Sequence, residues 1–149
     1  MQQADILKLA ALDQEDLSIV SAHVQDAVMK VGDLSYLPQE NRFMLVLNRF
    51  IWERVEGKDQ SFERRRAALI FDRVTAAKTS HLRRDQPDAV LSLLAIQFEP
   101  ADAPAGQILL QFAGGAAVQL DVECIEARLA DLGPAWATSA KPTHDAGAA

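Results

Sequence analysis

The chain has 149 residues, 49% apolar and 24% charged, with a single cysteine and a net charge of −6. Those proportions suit one globular domain and exclude a collagen-like repeat, a disulfide-stapled scaffold and a wholly disordered chain. No apolar run approaches the ~20 residues needed to cross a bilayer, and Met1–Asp5 lacks the basic start of a secretory signal, so the expectation is a cytoplasmic protein with no membrane insertion.

The first periodic segment follows Asp13. Leu17, Val20, Val24 and Val28 recur at helical spacing behind an acidic first turn, which predicts a helix over about 15–25. The runs 27–37 and 42–53 then flank the turn-rich Pro38-Gln39-Glu40-Asn41 and read as a hairpin, the first strand bending at Gly32-Asp33. Residues of both parities in 42–53 are largely apolar, with Arg49 interrupting one of them, so this strand should be covered on both faces. The charged stretch 56–63 reads as a loop and 64–79 as one strand. Another loop over 83–88 leads to an apolar strand over 89–99, which the proline-rich segment 100–106 ends. Residues 107–112 alternate, Gly114-Gly115 supplies the positive φ of a tight hairpin turn, and 116–120 returns as the partner strand. Asp121 as N-cap, the stripe Ile125, Leu129 and Leu132, and the stop at Gly133-Pro134 predict a last helix over 122–132. Residues 137–149 offer little to bury and read as a disordered tail after a single domain over 1–136.

The fold class expected is therefore α+β. A curled antiparallel sheet of about six to seven strands carries an N-terminal helix and a capping C-terminal helix. Over about 27–132 this element order resembles the pleckstrin-homology-like roll, although Trp136 falls after Pro134 and not on the helix; an ordinary α+β sandwich accounts for the same order. A second resemblance rests on Leu12-Asp13, Asp16-Leu17, Val31-Gly32-Asp33, Tyr36-Leu37-Pro38 and Leu47-Asn48-Arg49-Phe50. In these the chain is similar to an uncharacterised alphaproteobacterial family, domain of unknown function 2948. The resemblance implies a small bacterial cytosolic protein and brings no activity or catalytic residue with it.

Charge is unevenly spread. Eleven basic and five acidic residues lie between Arg42 and Arg84, against four and sixteen in the rest. Within that stretch Arg64, Arg65, Arg66, Arg83 and Arg84 form the candidate patch for an anionic ligand or partner, since guanidinium binds phosphate and carboxylate in two-pronged fashion. The competing reading is neutralisation by the surplus acids. Strand alternation puts Arg64 and Arg66 on one face and Arg65 on the other, which divides the patch unless the 83–84 loop folds against it. A pI near 5.0 argues against a nucleic-acid partner.

No other chemistry assembles in the sequence. His23, His81, His144 and Cys124 have no metal-ligand spacing, so no metal or other cofactor is expected. Cys124 sits between acidic Glu123 and Glu126 near the predicted helix start and reads as a structural thiol. There is no nucleophile elbow and no phosphate loop. No catalytic residue is assigned, and the enzyme question leans to no. The leading function is a small binding or adaptor module that recognises a protein or peptide through an open sheet edge or the mouth of the roll. The alternative is a small enzyme or regulator that acts on an anionic metabolite through arginines and carboxylates.

Overall fold

The computed structural model describes residues 7–54, 60–133 and 136–138, with side chains placed over 7–51 and 64–133. In chain order the elements are β1 (Lys8–Ala11), α1 (Gln14–His23), β2 (Val28–Lys30), β3 (Leu34–Leu37), β4 (Arg42–Arg54), β5 (Gln60–Phe71), β6 (Val74–Ser80), β7 (Val90–Pro100), β8 (Gly106–Phe112), β9 (Ala117–Val122), β10 (Ala127–Asp131) and β11 (Trp136–Thr138). The strands form one open, antiparallel sheet in the order β1-β10-β5-β4-β2-β7-β8-β9-β6, with β3 added to β4 and β11 to β5. An antiparallel sheet with one helix bears out the α+β reading at that level, but with eleven strands among the described residues where six or seven were expected. The additional strands are mostly three or four residues long, too short to carry a periodic signal.

Local signals explain several elements. The Asp13 carboxylate accepts the Asp16 N–H at 2.8 Å and starts α1, and Leu17, Val20 and Val24 turn inward. The helix lies on β7, where the Ser21 hydroxyl accepts the Ile96 N–H at 3.0 Å. Between β3 and β4 the chain turns through Pro38–Glu40, and Asn41 supplies the left-handed residue at φ 52°. Gly114 and Gly115, at φ 86° and 92°, connect β8 to β9.

Two segments differ most from the sequence reading. The expected strand over 64–79 is two strands that meet at a corner, Asp72-Arg73, where Arg73 adopts φ 64°. Its first part also begins earlier, at Gln60, inside the expected loop; residues 55–59 lie outside the described residues. The helix expected over 122–132 is absent: β9 runs to Val122, four residues link it to β10, and β10 ends at Asp131. The reason is a period of two that the helical stripe concealed. Ile125, Ala127, Leu129 and Asp131 are all buried, whereas Leu132, the last residue of the helical stripe, is 54% exposed. With that helix goes the element on which the likeness to the pleckstrin-homology-like roll depended.

The corner holds the sheet's two halves together. The Asp72 N–H donates to the Glu126 carbonyl and the Glu123 N–H to the Arg73 carbonyl, so the β5–β6 and β9–β10 links run side by side. Arg42 and Arg128 share Asp72 at 2.8 and 3.2 Å, and Arg73 meets Glu126 at 3.3 Å. Here the basic stretch does meet the acids of the C-terminal half. One face of the sheet and α1 share one core, including Leu17, Leu45, Leu69, Phe71, Leu110 and Leu129. Of the tail expected from 137, Ala137 and Thr138 lie in β11, opposite Glu63 and Phe62; the rest lies outside the described residues.

Candidate functional site

The three consecutive arginines of β5 have different fates because a strand alternates its side chains. Arg65 faces the core directly opposite Arg49 of β4. Both reach Asp131 at the end of β10: Arg49 Nε donates to Oδ1 at 2.9 Å and Arg49 Nη2 to Oδ2 at 3.1 Å, while Arg65 Nη1 donates to Oδ2 at 3.1 Å. The Leu7 N–H donates to the same Oδ2 at 2.8 Å. Burial pushes the Asp131 carboxyl upward, but the hydrogen bonds from Arg49, Leu7 and Arg65 outweigh it and hold the pKa below the ordinary aspartate value. A carboxylate with this many donors is fixed in its charged form and is not placed to shuttle protons. Its chemistry is structural.

Arg64 and Arg66 lie on the opposite face. Arg66 is paired across strands with Asn48, and Asn48 with Val28 of β2. That bridge is the single pairing between β2 and β4; beyond it the strands diverge and leave a cleft of about 340 Å³. Lys30, Asp33, Asn48, Arg64, Arg66 and Val90 are among its lining residues. No described carboxylate pairs with Arg64 or Arg66.

Arg83 and Arg84 do not join them. A single patch required the 83–84 loop to fold against the start of β5, but β6 pairs with β9, so the loop leaves from the other half of the sheet. Arg83 donates to the Gln86 side chain at 3.2 Å. Arg84 lines a second cleft of about 310 Å³ between β3 and β6, with Leu34, Tyr36, Phe43, Ala77 and Leu82 among its walls. Among the described residues β3 pairs only with β4 and β6 only with β9, so a strand edge lies open on each side of this cleft. The candidate patch is thus divided among a buried ion-pair cluster (Arg65), a cationic cleft (Arg64 and Arg66) and an apolar cleft (Arg84), with Arg83 left on the exposed loop.

Cys124 is half-buried in the β9–β10 link and not at a helix start, which removes any helix dipole from its surroundings. Among the described residues no group of three or more His, Cys, Asp or Glu side chains is placed to hold a metal ion, and no helix is long and apolar enough to cross a membrane.

The family model described as "Protein of unknown function (DUF2948)" matches residues 7–144. The chain belongs to this family. No curated protein and no solved structure matches it. The match spans every described element, so both clefts lie within the family's domain. Its description names no activity. Sequence reasoning missed Lys30, Asn48 and Asp131. Asn48 had a signal, a polar residue on the Met44, Val46 and Phe50 parity of β4; Arg49, which interrupts the other parity, likewise announced a buried charge in need of a carboxylate.

Proposed function

We propose that this protein is a small, non-catalytic cytosolic binding module that takes an apolar side chain of a protein or peptide partner into the cleft between β3 and β6. One observation carries the reading: at this cleft the hydrophobic interior reaches the surface. Phe43 belongs to the core, while Leu34, Tyr36, Ala77 and Leu82 pack against that core and remain partly accessible. The flanking edges of β3 and β6 offer backbone groups to an extended segment, the usual way a sheet edge binds peptide. Arg84 at the same cleft favours an acidic residue beside the apolar one.

The alternative, an enzyme or regulator of an anionic metabolite, needs a carboxylate free to move protons beside the arginines. Asp131 is bound up on the inner face, and Asp33 already accepts the Lys30 N–H at 3.1 Å. The deciding experiment is an NMR titration with extended peptides that place a bulky apolar residue next to an acidic one. Shifts confined to β3, β6 and residues 82–87, and lost in Leu82→Lys with the fold intact, support the module. Shifts elsewhere, or none, remove it.

A further inference from the structure

We propose that the cleft where β2 and β4 diverge is an anion site built for a phosphate group that carries a hydroxyl, either its own or that of a small phosphate monoester. Three observations converge there, none of them used by the peptide-binding reading.

The first is charge left unanswered. Arg42, Arg49, Arg65, Arg73 and Arg128 each hold a carboxylate, and Arg83 holds Gln86. Arg64 and Arg66 have no described carboxylate, although they stand two residues apart on one strand face, roughly 6–7 Å by the rise of a strand. Lys30 brings a third cation from β2, tied only loosely to exposed Asp88 at 3.8 Å. Among the described residues Asp33 is the one acid lining the cleft, so these residues keep a positive balance that matches the charge of a phosphate.

The second is a pair of buried polar atoms left unsatisfied. Arg64 Nε is a donor and Asn48 Oδ1 an acceptor, both buried and without a hydrogen-bond partner among the described residues. An unmade bond of this kind costs free energy, so such atoms mark where a ligand would be held. A guest that satisfies both must accept from the guanidinium and donate to the amide oxygen. A fully ionised carboxylate can do only the first. A protonated phosphate oxygen, or a hydroxyl next to a phosphate ester, supplies both.

The third is room. The cleft of about 340 Å³ falls within the range of small-molecule sites and leaves space for an organic body behind the phosphate. Val28 and Val90 give it an apolar wall.

The test is an NMR or calorimetric titration of the full chain with inorganic phosphate and with glycerol 3-phosphate, at low and moderate salt. Acetate serves as the carboxylate control. The resonances of Lys30, Asn48, Arg64 and Arg66 should move together, with glycerol 3-phosphate binding more tightly than acetate and affinity falling as salt rises. Arg66→Gln should weaken binding at least about tenfold, since a charge-assisted hydrogen bond is lost. Arg64→Lys, which keeps the charge but deletes Nε, should also weaken it. Asn48→Leu tests the acceptor. Arg66 is exposed, so its variant should fold even where changes at the half-buried Arg64 and Asn48 do not. Affinity unchanged in Arg66→Gln, equal binding of acetate, or no shift at these four residues would overturn the proposal.

Discussion

Arg65 and Arg66 are neighbours in sequence and opposites in circumstance. Arg65 is buried with Arg49 around a single carboxylate; Arg66 stands exposed across from Asn48 and makes no described ion pair. One peptide unit separates a residue that holds the sheet together from one available to a ligand. A run of like charges on a strand is therefore two populations, and each takes its role from what the neighbouring strands place opposite it.

The strongest test of the inner face is Asp131→Asn. It leaves Arg49 and Arg65 buried beside each other without their counter-charge, and removing one partner of such a cluster costs about 3–5 kcal/mol. Urea denaturation measures it, and a loss below about 1 kcal/mol would mean that water reaches the cluster. The same cluster sets a pH dependence. Because the folded pKa of Asp131 is lowered, the unfolded chain binds more protons through the acid range. The stabilisation is present above the ordinary aspartate value, near 3.8, and drains away as pH falls through the lower folded value. The wild type should lose more stability than Asp131→Asn between neutral pH and pH ~3.

The next test separates strand from helix in the C-terminal run. Leu129 is fully buried opposite Leu69, and Leu→Ala there should cost about 2–5 kcal/mol. Leu132→Ala, at an exposed site, should stay within about 0.5 kcal/mol. A helical stripe would have made both expensive.

That run also shows what a sequence can and cannot reveal. Helix α1 and the β8–β9 turn were legible because their causes are local: an Asp13 cap, an inward stripe and two glycines. Residues 122–132 satisfy both periods, since Ile125 and Leu129 belong to the helical stripe and to the alternating one. The choice is made by Arg65 and Arg49, which bind Asp131 from 66 and 82 residues away. The β5–β6 corner carries no glycine or proline, only Arg73 in a left-handed conformation, and so left no mark. For the candidate site, the division of Arg64 and Arg66 from Arg65 could be read from alternation. Lys30 and Asn48 could not be joined to them, because β2 is three residues long and meets β4 through one bridge.

A smaller effect belongs to β11. It pairs with β5 opposite Arg64, so a chain ended before Trp136 leaves that segment of β5 without a neighbour on one side. Losing a short ladder should cost about 1–3 kcal/mol and weaken phosphate binding at Arg64. We propose that the domain's folded part stops there: a chain ended after Thr138 should melt within about 2 °C of the full chain. A larger drop would show that residues beyond 138 dock.

The smallest expected change is the one that tests the comparison most directly. Arg66→Gln should alter stability by no more than about 0.5 kcal/mol, because it removes no described ion pair and leaves an exposed position polar. Arg65→Gln, one residue away, should cost several times as much, because Asp131 loses a buried partner. Added salt should hardly change the cost at Arg65, where the pair is shielded from solvent. In the Arg66 variant it should matter only to ligand binding. Paired urea melts of the two variants at low and high salt therefore read the two faces of β5 separately. If both variants lose the same stability, the alternation that divides the arginine run is not the working division, and Arg66 belongs to the scaffold as well.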